Sequence, residues 1–397
     1  MEERKREQAT SASTSKYQDL VMIALLLHGV ASFAAPLNAQ WAATDGFKDA
    51  KFCSFDSARY QGMVNDQSRT PVFAEAIRRA LLGREGELVV LDIGAGPVAL
   101  LALLAAKAGA KKVYAIEVNP EVAELARQAI ADSVARGEVA DGVVTLLQGF
   151  STEIDLPEKC DLIIAEIVGS VASSEGIYAT MYDVQQRHLK APHEPASYIP
   201  LRVETLCAPM SYALHHPGLG PKDFDWEAVR RDGPPPCFAC SSREVQVMAE
   251  PQIVESICLD SPLPPPGERL ERSLTFTVCE ERLRENADDC AAALTGAGAP
   301  LEPAQQVAAE VAASLTGVGF WPRLVLDVDE TLVIDSRGVD GRPQRSHWQT
   351  VLPLLSATPT RVSAGDVLRV QATTQLGAAI NEPVRYEVSA EVVDREE

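Results

Sequence analysis

The chain has 397 residues, of which 46% are hydrophobic and 23% charged, with a formal net charge of −20 at pH 7. This length suffices for about two domains of ~150 residues each, and the composition is that of a globular protein. No run of lysine and arginine resembles a phosphate-binding patch, so direct nucleic-acid binding is not expected, and the acidic balance favours basic partners. The eight cysteines form no regular framework and indicate reduced thiols. Cys237 and Cys240 lack the second ligand pair that a zinc site needs, so we expect no metal.

Residues 1–54 are predicted to form a leader that is disordered in part. Its apolar stretch, VMIALLLHGVASFAA at residues 21–35, is shorter than the ~20 residues that span a bilayer, so we expect no stable membrane insertion. Two interpretations stay open, namely a helix packed on the following domain and the core of a signal peptide. The expected location is cytoplasmic, nuclear or both, with a targeting signal at residues 20–35 left open.

Residues 55–200 alternate between helix and strand signals. Helix is predicted over 55–83, where apolar residues from Val72 to Leu81 repeat at helical spacing. Further helices are predicted at 98–110, at 119–137 with Asn119 as the N-cap, and at 177–189. Four short apolar runs between them are typical of strands buried on both faces: LVVLD (88–92), KVYAIE (112–117), VVTLLQ (143–148) and DLIIAE (161–166). This order predicts a parallel, doubly wound sheet.

Residues 201–397 have a different sequence pattern, with prolines clustered at 234–236 and 262–266. One helix is predicted at AQQVAAEVAASL (304–315). Three segments alternate like half-buried strands: SLTFTV (273–278), LRVQATTQL (368–376) and VRYEVSAEVV (384–393). We therefore predict a mostly antiparallel β domain.

A glycine turn follows the first predicted strand, in VLDIGAGPVALL. Asp92 ends the strand, and Gly94 and Gly96 let the backbone turn tightly and approach a ligand closely. Glu117 ends the second strand, where a carboxylate can accept hydrogen bonds from both hydroxyls of a ribose. Ala99 occupies the place of the third glycine of a dinucleotide fingerprint, which argues against a redox dinucleotide. The pattern predicts a nucleotide-like cofactor.

Glu166 and Glu175 lie in DLIIAEIVGSVASSEG, where an apolar strand runs into a loop. Two carboxylates held close together repel each other unless a cation lies between them. A guanidinium suits this place best, because its planar donors bind carboxylates in bidentate fashion. The pair therefore predicts an arginine side chain bound beside the cofactor.

With these segments, the chain resembles the protein arginine methyltransferases over about residues 55–210 and again at 346–352. The resemblance implies an α/β plus β architecture, in which a doubly wound, Rossmann-like methyltransferase sheet is followed by a β-barrel-like substrate domain. The corresponding division is a leader at 1–54, a cofactor-binding domain at 55–200 and the barrel at 201–397.

The resemblance also assigns roles to individual residues of this chain. The implied cofactor is S-adenosyl-L-methionine, with the binding residues Arg69, Asp92, Gly94, Gly96, Glu117 and, on the adenine side next to Thr152, Glu153. The implied catalytic residues are Glu166, Glu175, His347 and Asp66. The implied substrate-binding residues are Met63 and Trp348. Asp66 is expected to bond His347 in SHWQ (346–349), and Arg69 to pair with the cofactor carboxylate.

The expected chemistry is methyl transfer to an arginine side chain. Glu166 and Glu175 would draw the guanidinium charge toward the nitrogens they face, so that the reacting nitrogen keeps lone-pair character. His347, or Glu175 itself, would accept the released proton. The implied substrates are basic, arginine-containing proteins such as histones or RNA-binding proteins, and the implied assembly is a homodimer with an arm at 215–233. The product, whether mono-, symmetrically or asymmetrically dimethylated arginine, stays open.

Three other interpretations stay open. RLVLDVDETLVIDSR (323–337) resembles the nucleophile motif of haloacid-dehalogenase-type phosphatases, with Asp327 as nucleophile and Asp329 as acid. That family needs a lysine further along, and no lysine follows Asp329. The second is a class I methyltransferase that acts on a small molecule or on another protein residue. The third is a non-catalytic scaffold.

Overall fold

The structure is a computed structural model that describes residues 37–43, 57–379 and 382–393. The apolar stretch at 21–35, with its two open interpretations, lies outside the described residues. Within the described ranges, every helix is too short or too polar to cross a membrane.

A five-stranded parallel sheet follows the N-terminal strand β1 (Asn38–Ala42) and forms the first half of the fold, in the order β4-β3-β2-β5-β6. Every residue of β2 and of β5 is buried, as expected for strands covered on both faces. The sheet confirms the predicted parallel architecture and adds one short strand that was not predicted, β6. Its strands are β2 (Val89–Ile93), β3 (Lys112–Glu117), β4 (Val144–Gln148), β5 (Leu162–Ala165) and β6 (Tyr198–Ile199).

Five α-helices of the described chain accompany this sheet. The side chain of Asn119 accepts from the N–H groups of Glu121 and Val122, which confirms the predicted N-cap. The helical region predicted at 55–83 is divided by a turn, because Asp66 accepts from the N–H of Ser68 there. The helices are α1 (Ser57–Val64), α2 (Thr70–Leu81), α3 (Leu100–Lys107), α4 (Pro120–Ala135) and α5 (Ile177–Arg187).

Antiparallel strands form the second half. They include the three predicted strands, which pair in one sheet of order β1-β18-β17-β11, and a larger sheet of order β10-β7-β13-β15-β8, with β14 and β9 attached to β13 and β7. The strands are β7 (Arg202–Tyr212), β8 (Cys237–Ala239), β9 (Val245–Val247), β10 (Gln252–Cys258), β11 (Arg269–Thr277), β12 (Ser314–Leu315), β13 (Gly317–Val325), β14 (Val333–Asp335), β15 (Gln349–Val351), β16 (Thr360–Arg361), β17 (Val367–Gln375) and β18 (Arg385–Val393). The change from parallel to antiparallel pairing falls between β6 and β7. The domain bounds given above stay a prediction.

Three helices interrupt the antiparallel half: α6 (Trp226–Asp232), α7 (Glu280–Gly296) and α8 (Leu301–Ala312). The sequence predicted α8 but not α7, whose buried face includes the polar residues Arg282 and Asn286 and therefore shows weak apolar periodicity. Helices α7 and α8 pack together and enclose Leu219, a residue of the candidate arm at 215–233. On the same segment, Arg230 of α6 donates to the carbonyl of Asn38 at 3.1 Å, so the arm folds back onto β1.

Candidate functional site

The glycine turn lies directly after β2, at the carboxyl edge of the parallel sheet. Gly94 and Gly96 have φ values of 80° and 66°, in the left-handed region that favours glycine. A Cβ atom at Gly94 would lie 2.9 Å from Cγ2 of Ile167, so this position has no room for a side chain. Ala99, in the place of the third glycine, also has a left-handed backbone with φ 43° and is fully buried. The turn thus keeps the glycine-like conformation where the glycine itself is replaced.

Two buried carboxylates flank this turn. Asp92 accepts from the N–H of Ala102 at 2.9 Å through Oδ2, whereas its Oδ1 is buried without a partner among the described residues. Burial raises the pKa of Asp92 to about 7, against the effect of that hydrogen bond. Glu117 accepts from the N–H groups of Gly96 at 3.0 Å and Asn119 at 2.9 Å, and burial raises its pKa as well. Glu117 therefore ties the glycine turn to the end of β3.

Glu166 is paired with a cation from the same chain. Arg69, immediately before α2, donates through Nε and Nη2 to Oε2 of Glu166, at 2.8 Å and 2.5 Å. The two side chains are 6% and 4% exposed, so this is a buried ion pair. All of these contacts fall on Oε2, and Oε1 of Glu166 has no hydrogen bond to a described residue. One oxygen of Glu166 thus remains available for a second cation.

Glu175 has no such partner among the described residues. It ends a 3-10 turn, Ala172–Glu175, which Gly176 closes with φ 85°. The residue is exposed to solvent, but its carboxyl group is crowded by protein atoms. This crowding and the negative charge of nearby Glu166 raise the pKa of Glu175 to about 7. Two carboxylates and one guanidinium leave one negative charge when both acids are ionised, so the site lacks one cation.

The loop that carries His347 and Trp348 (SHWQ, residues 346–349) is held in place on two sides. Oδ2 of Asp66 accepts from the backbone N–H of His347 and contacts its Nδ1, each at 2.8 Å. Burial acts to raise the pKa of Asp66, but the hydrogen bonds from His347 and Ser68 outweigh it and hold the pKa below its usual range. On the other side, Nε1 of buried Trp348 donates to the carbonyl of Val168 at 2.7 Å. The loop therefore joins the turn between α1 and α2 to the segment that carries both glutamates.

Three further residues bear on the candidate site: Met63, Glu153 and Tyr60. The backbone carbonyl of half-buried Met63 accepts from the N–H of Asp66 at 3.2 Å, which places Met63 at the rim of the site. Glu153 is exposed after β4, and no contact in the described chain joins it to the glycine turn. Tyr60 was missed, although a Cβ at Gly96 would lie 3.3 Å from its ring. Its position three residues before Met63, on the same face of α1, is the signal that could have shown it.

The aspartate motif at 323–337 forms a hairpin turn between the antiparallel strands β13 and β14. Asp327 accepts from the N–H of Leu332 at 3.0 Å and pairs with Arg79 of α2 at 3.3 Å, while Asp329 is exposed. In a phosphatase of the expected type, this motif would end a strand of a parallel sheet. The phosphatase interpretation is therefore not favoured.

Asp327→Asn tests this conclusion. With p-nitrophenyl phosphate and Mg²⁺, we expect background hydrolysis for the wild type and for the variant alike. The free energy of unfolding should fall by about 1 kcal/mol, because the turn loses a charged acceptor. Magnesium-dependent hydrolysis by the wild type that disappears in the variant would restore the phosphatase.

The cysteine pair lies at one edge of the larger sheet, on β8 (Cys237–Ala239) and directly after it. Cys240 is buried and contacts the hydroxyls of Ser336 and Thr350, whereas Cys237 is exposed. Across the described ranges, no three His, Cys, Asp or Glu side chains are grouped closely enough to hold an ion.

Comparison with known proteins bears on this site. Residues 91–186 match the family described as a methyltransferase domain. A probable histone-arginine methyltransferase CARM1 of Oryza sativa subsp. indica is 35% identical over 129 residues, which cover 32% of this chain and 23% of that protein. Protein arginine N-methyltransferase PRMT10 of Oryza sativa subsp. japonica is 34% identical over 140 residues, which cover 35% of each chain. The matches thus span about a quarter to a third of the length of these relatives.

Two solved structures share the architecture across most of the chain. The PRMT1 enzyme-prozyme heterotetrameric complex of Trypanosoma brucei with AdoHcy has a TM-score of 0.61 at 18% identity, covering 85% of this chain and 94% of that chain. Protein arginine methyltransferase 10 of Arabidopsis thaliana has a TM-score of 0.57 at 18% identity, covering 86% and 100%. The predicted fold class, a methyltransferase sheet followed by a barrel-like antiparallel domain, is confirmed.

Proposed function

We propose that this chain, which its methyltransferase domain and two-part fold identify as a relative of the protein arginine methyltransferases, methylates arginine side chains of basic proteins. The methyl donor is S-adenosylmethionine. The observation that carries the proposal is the carboxylate pair of Glu166 and Glu175, which has one internal guanidinium and room for the charge of one more.

The residues at the glycine turn fit this cofactor. Gly94 and Gly96 leave the turn without side chains, and the buried Oδ1 of Asp92 has no partner in the described chain. Glu117 uses one lone pair of each oxygen for a backbone N–H, which leaves a second on each for a ribose hydroxyl. Arg69 offers a guanidinium to the cofactor carboxylate, and Glu153 is proposed for the adenine side. When bound, the cofactor supplies a methyl group on a positively charged sulfur.

The glutamates bind and orient the substrate guanidinium. Oε1 of Glu166 and the carboxylate of Glu175 accept from two of its nitrogens and hold the third toward the cofactor. A guanidinium is a poor nucleophile because its charge is delocalised and its pKa lies above ~12. Two carboxylates on one side draw that charge toward the bound nitrogens, so the third keeps more lone-pair character. Positioning and fixed charge together account for the rate.

Proton removal falls to His347 or Glu175. Because Asp66 binds the Nδ1 side of the His347 ring, Nε2 is left to accept a proton. Asp66→Asn keeps the shape of this acceptor but loses its charge, so we expect kcat/KM for an arginine peptide to fall about 100-fold. Cofactor affinity measured by calorimetry should stay within about threefold. An unchanged rate would remove His347 and Asp66 from the mechanism.

We also propose partners and a location for this chain. The Trypanosoma brucei neighbour is a heterotetrameric complex, and we propose a homodimer for this chain, measurable by light scattering. The segment at 215–233 is the candidate arm, although it folds back onto β1 here. Histones or RNA-binding proteins in the nucleus or cytoplasm are the proposed substrates.

The proposal is tested with labelled S-adenosylmethionine and three peptides rich in glycine and containing arginine, citrulline or lysine. We expect label in the arginine peptide alone, and mass analysis of its residues then identifies the product. Cofactor binding without label in any peptide would favour a small-molecule methyltransferase, and label in lysine would favour another protein residue. Failure to bind the cofactor would favour a scaffold.

A further inference from the structure

Residues of the antiparallel β domain form hydrogen bonds to the turn that carries Glu175. Val171, at the N-cap of the 3-10 turn Ala172–Glu175, provides no side-chain cap. The first N–H groups of a helical turn have no partner within it and need one elsewhere. The N–H of Ala172 donates to the hydroxyl of Thr205 at 2.9 Å, in the protein interior. A residue of β7 therefore caps the turn from the other half of the fold.

Glu255 fixes the orientation of the Thr205 hydroxyl that caps the turn. It lies on β10 directly opposite Thr205 on β7. The Thr205 hydroxyl donates its one proton to Oε2 of Glu255 at 2.8 Å, which turns its lone pairs toward Ala172. Thr205 is fully buried and Glu255 is 6% exposed, so both partners lie in the protein interior. Glu255 is a buried acid that the proposed mechanism does not use.

A second tether holds the next residue of the turn. The hydroxyl of Ser173 lies 2.9 Å from that of Tyr386 on β18. Both residues are buried, and the Tyr386 ring stacks on Trp41 of β1 with the centroids 5.1 Å apart. The turn is thus tied at two consecutive residues to strands of both antiparallel sheets.

We propose that Thr205, Glu255 and Tyr386 are positioning residues for Glu175, acting through the N–H of Ala172 and the hydroxyl of Ser173. The inference rests on the proposed arginine methylation. Glu175 lies only two residues after Ser173 and three after Ala172, so loss of a tether moves its carboxylate. A misplacement of about 1 Å at a reacting pair costs on the order of 100-fold in rate. Among the described residues, no hydrogen bond joins this network to the cofactor turn on the other side of Glu166.

The experiment compares Thr205→Val, which removes only the hydroxyl, with Thr205→Ser, which keeps it. Thr295→Val is the matched control, since the Thr295 hydroxyl donates to the carbonyl of Ala291 at 2.8 Å within α7, away from the turn. For Thr205→Val we expect kcat on the arginine peptide to fall about 30- to 100-fold, with the dissociation constant of S-adenosylmethionine within twofold. Thr205→Ser and Thr295→Val should stay within threefold of the wild type.

Two further variants extend the test to the partners. Glu255→Gln keeps an oxygen that accepts from Thr205 and should retain most of the activity, whereas Glu255→Met should behave like Thr205→Val. Tyr386→Phe removes one hydroxyl and should lower kcat about tenfold, which keeps the inference testable if Thr205→Val fails to fold. Unchanged kcat in both Thr205→Val and Tyr386→Phe would overturn the inference. So would a loss that Thr205→Ser fails to restore, or one matched by an equal loss of cofactor affinity.

Hydrogen exchange separates this inference from the proposed function. The amide of Ala172 should exchange at least about tenfold faster in Thr205→Val than in the wild type or Thr205→Ser. If the wild type methylates no arginine, the proposed function fails, and the exchange rates still decide whether the tether holds the turn. Equal exchange rates in the three proteins would overturn the inference whatever the activity.

Discussion

Glu166→Gln is expected to lower kcat/KM for an arginine peptide at least ~1,000-fold, which corresponds to about 4 kcal/mol of transition-state stabilisation. The variant removes the charge that draws the guanidinium charge away from the reacting nitrogen, and it removes half of the bidentate site. Cofactor affinity should stay within about threefold or rise, because Arg69 loses the negative charge of its partner and binds the cofactor carboxylate more readily. Peptide methylation and calorimetry measure the two effects separately.

The buried position of Glu166 calls for two controls. Removing one member of a buried ion pair destabilises a protein by about 3–5 kcal/mol, so the melting temperature has to show that the variant is folded at the assay temperature. Glu124→Gln makes the same change on the exposed face of α4, where Glu124 pairs with Arg127, and should leave the rate unchanged. Wild-type turnover in Glu166→Gln would discard the assignment of the glutamate pair.

Glu175→Gln is expected to lower kcat/KM at least ~100-fold and to remove the acidic limb of its pH profile. The pKa of Glu175 is raised to about 7, so the carboxyl is mostly protonated at pH 6 and mostly ionised at pH 8. Only the ionised form attracts a guanidinium, so wild-type kcat/KM should rise about tenfold across that interval. The limb should lie at lower pH in the profile of kcat, because the bound guanidinium favours ionisation of Glu175.

Asp92 is a second acid that titrates in the range of this pH profile, since burial raises its pKa to about 7 as well. Comparison of the two variants separates the two acids. In Glu175→Gln the residual activity should show no limb near pH 7, and in Asp92→Asn the limb should persist at reduced overall rate. A limb that survives in Glu175→Gln would assign it to Asp92 and contradict the role of Glu175.

The sequence indicated which residues belong to the candidate site, but not all of their hydrogen-bond and ion-pair partners within the chain. Asp66 and His347 are far apart along the chain, and the resemblance alone suggested their contact, which the structure contains. The bond between Arg69 and Glu166 was not predicted, because each residue was assigned a ligand outside the chain. Local pattern does not reveal such a pair, which forms only when the turn before α2 packs against the end of β5.

Two other differences between the sequence predictions and the structure have local causes. Helix α7 was missed because its buried face carries Arg282, which pairs with Glu250 at 2.8 Å, and Asn286, which donates to the carbonyl of Val247 at 2.9 Å. Partners that satisfy buried polar groups are distant in sequence, so apolar periodicity does not detect such a helix. The aspartate motif at 323–337 resembled a catalytic strand end because short apolar runs look alike in parallel and antiparallel sheets.

The most direct measurement is the titration of the Glu175 side-chain carboxyl by ¹³C NMR, assigned with Glu175→Gln, in the presence of S-adenosylhomocysteine. Without peptide, we predict an apparent pKa near 7. With an arginine peptide, the apparent pKa should fall by about two units, and with its neutral citrulline counterpart it should stay unchanged. An equal response to the two peptides, or none to either, would contradict the claim that these carboxylates receive an arginine side chain.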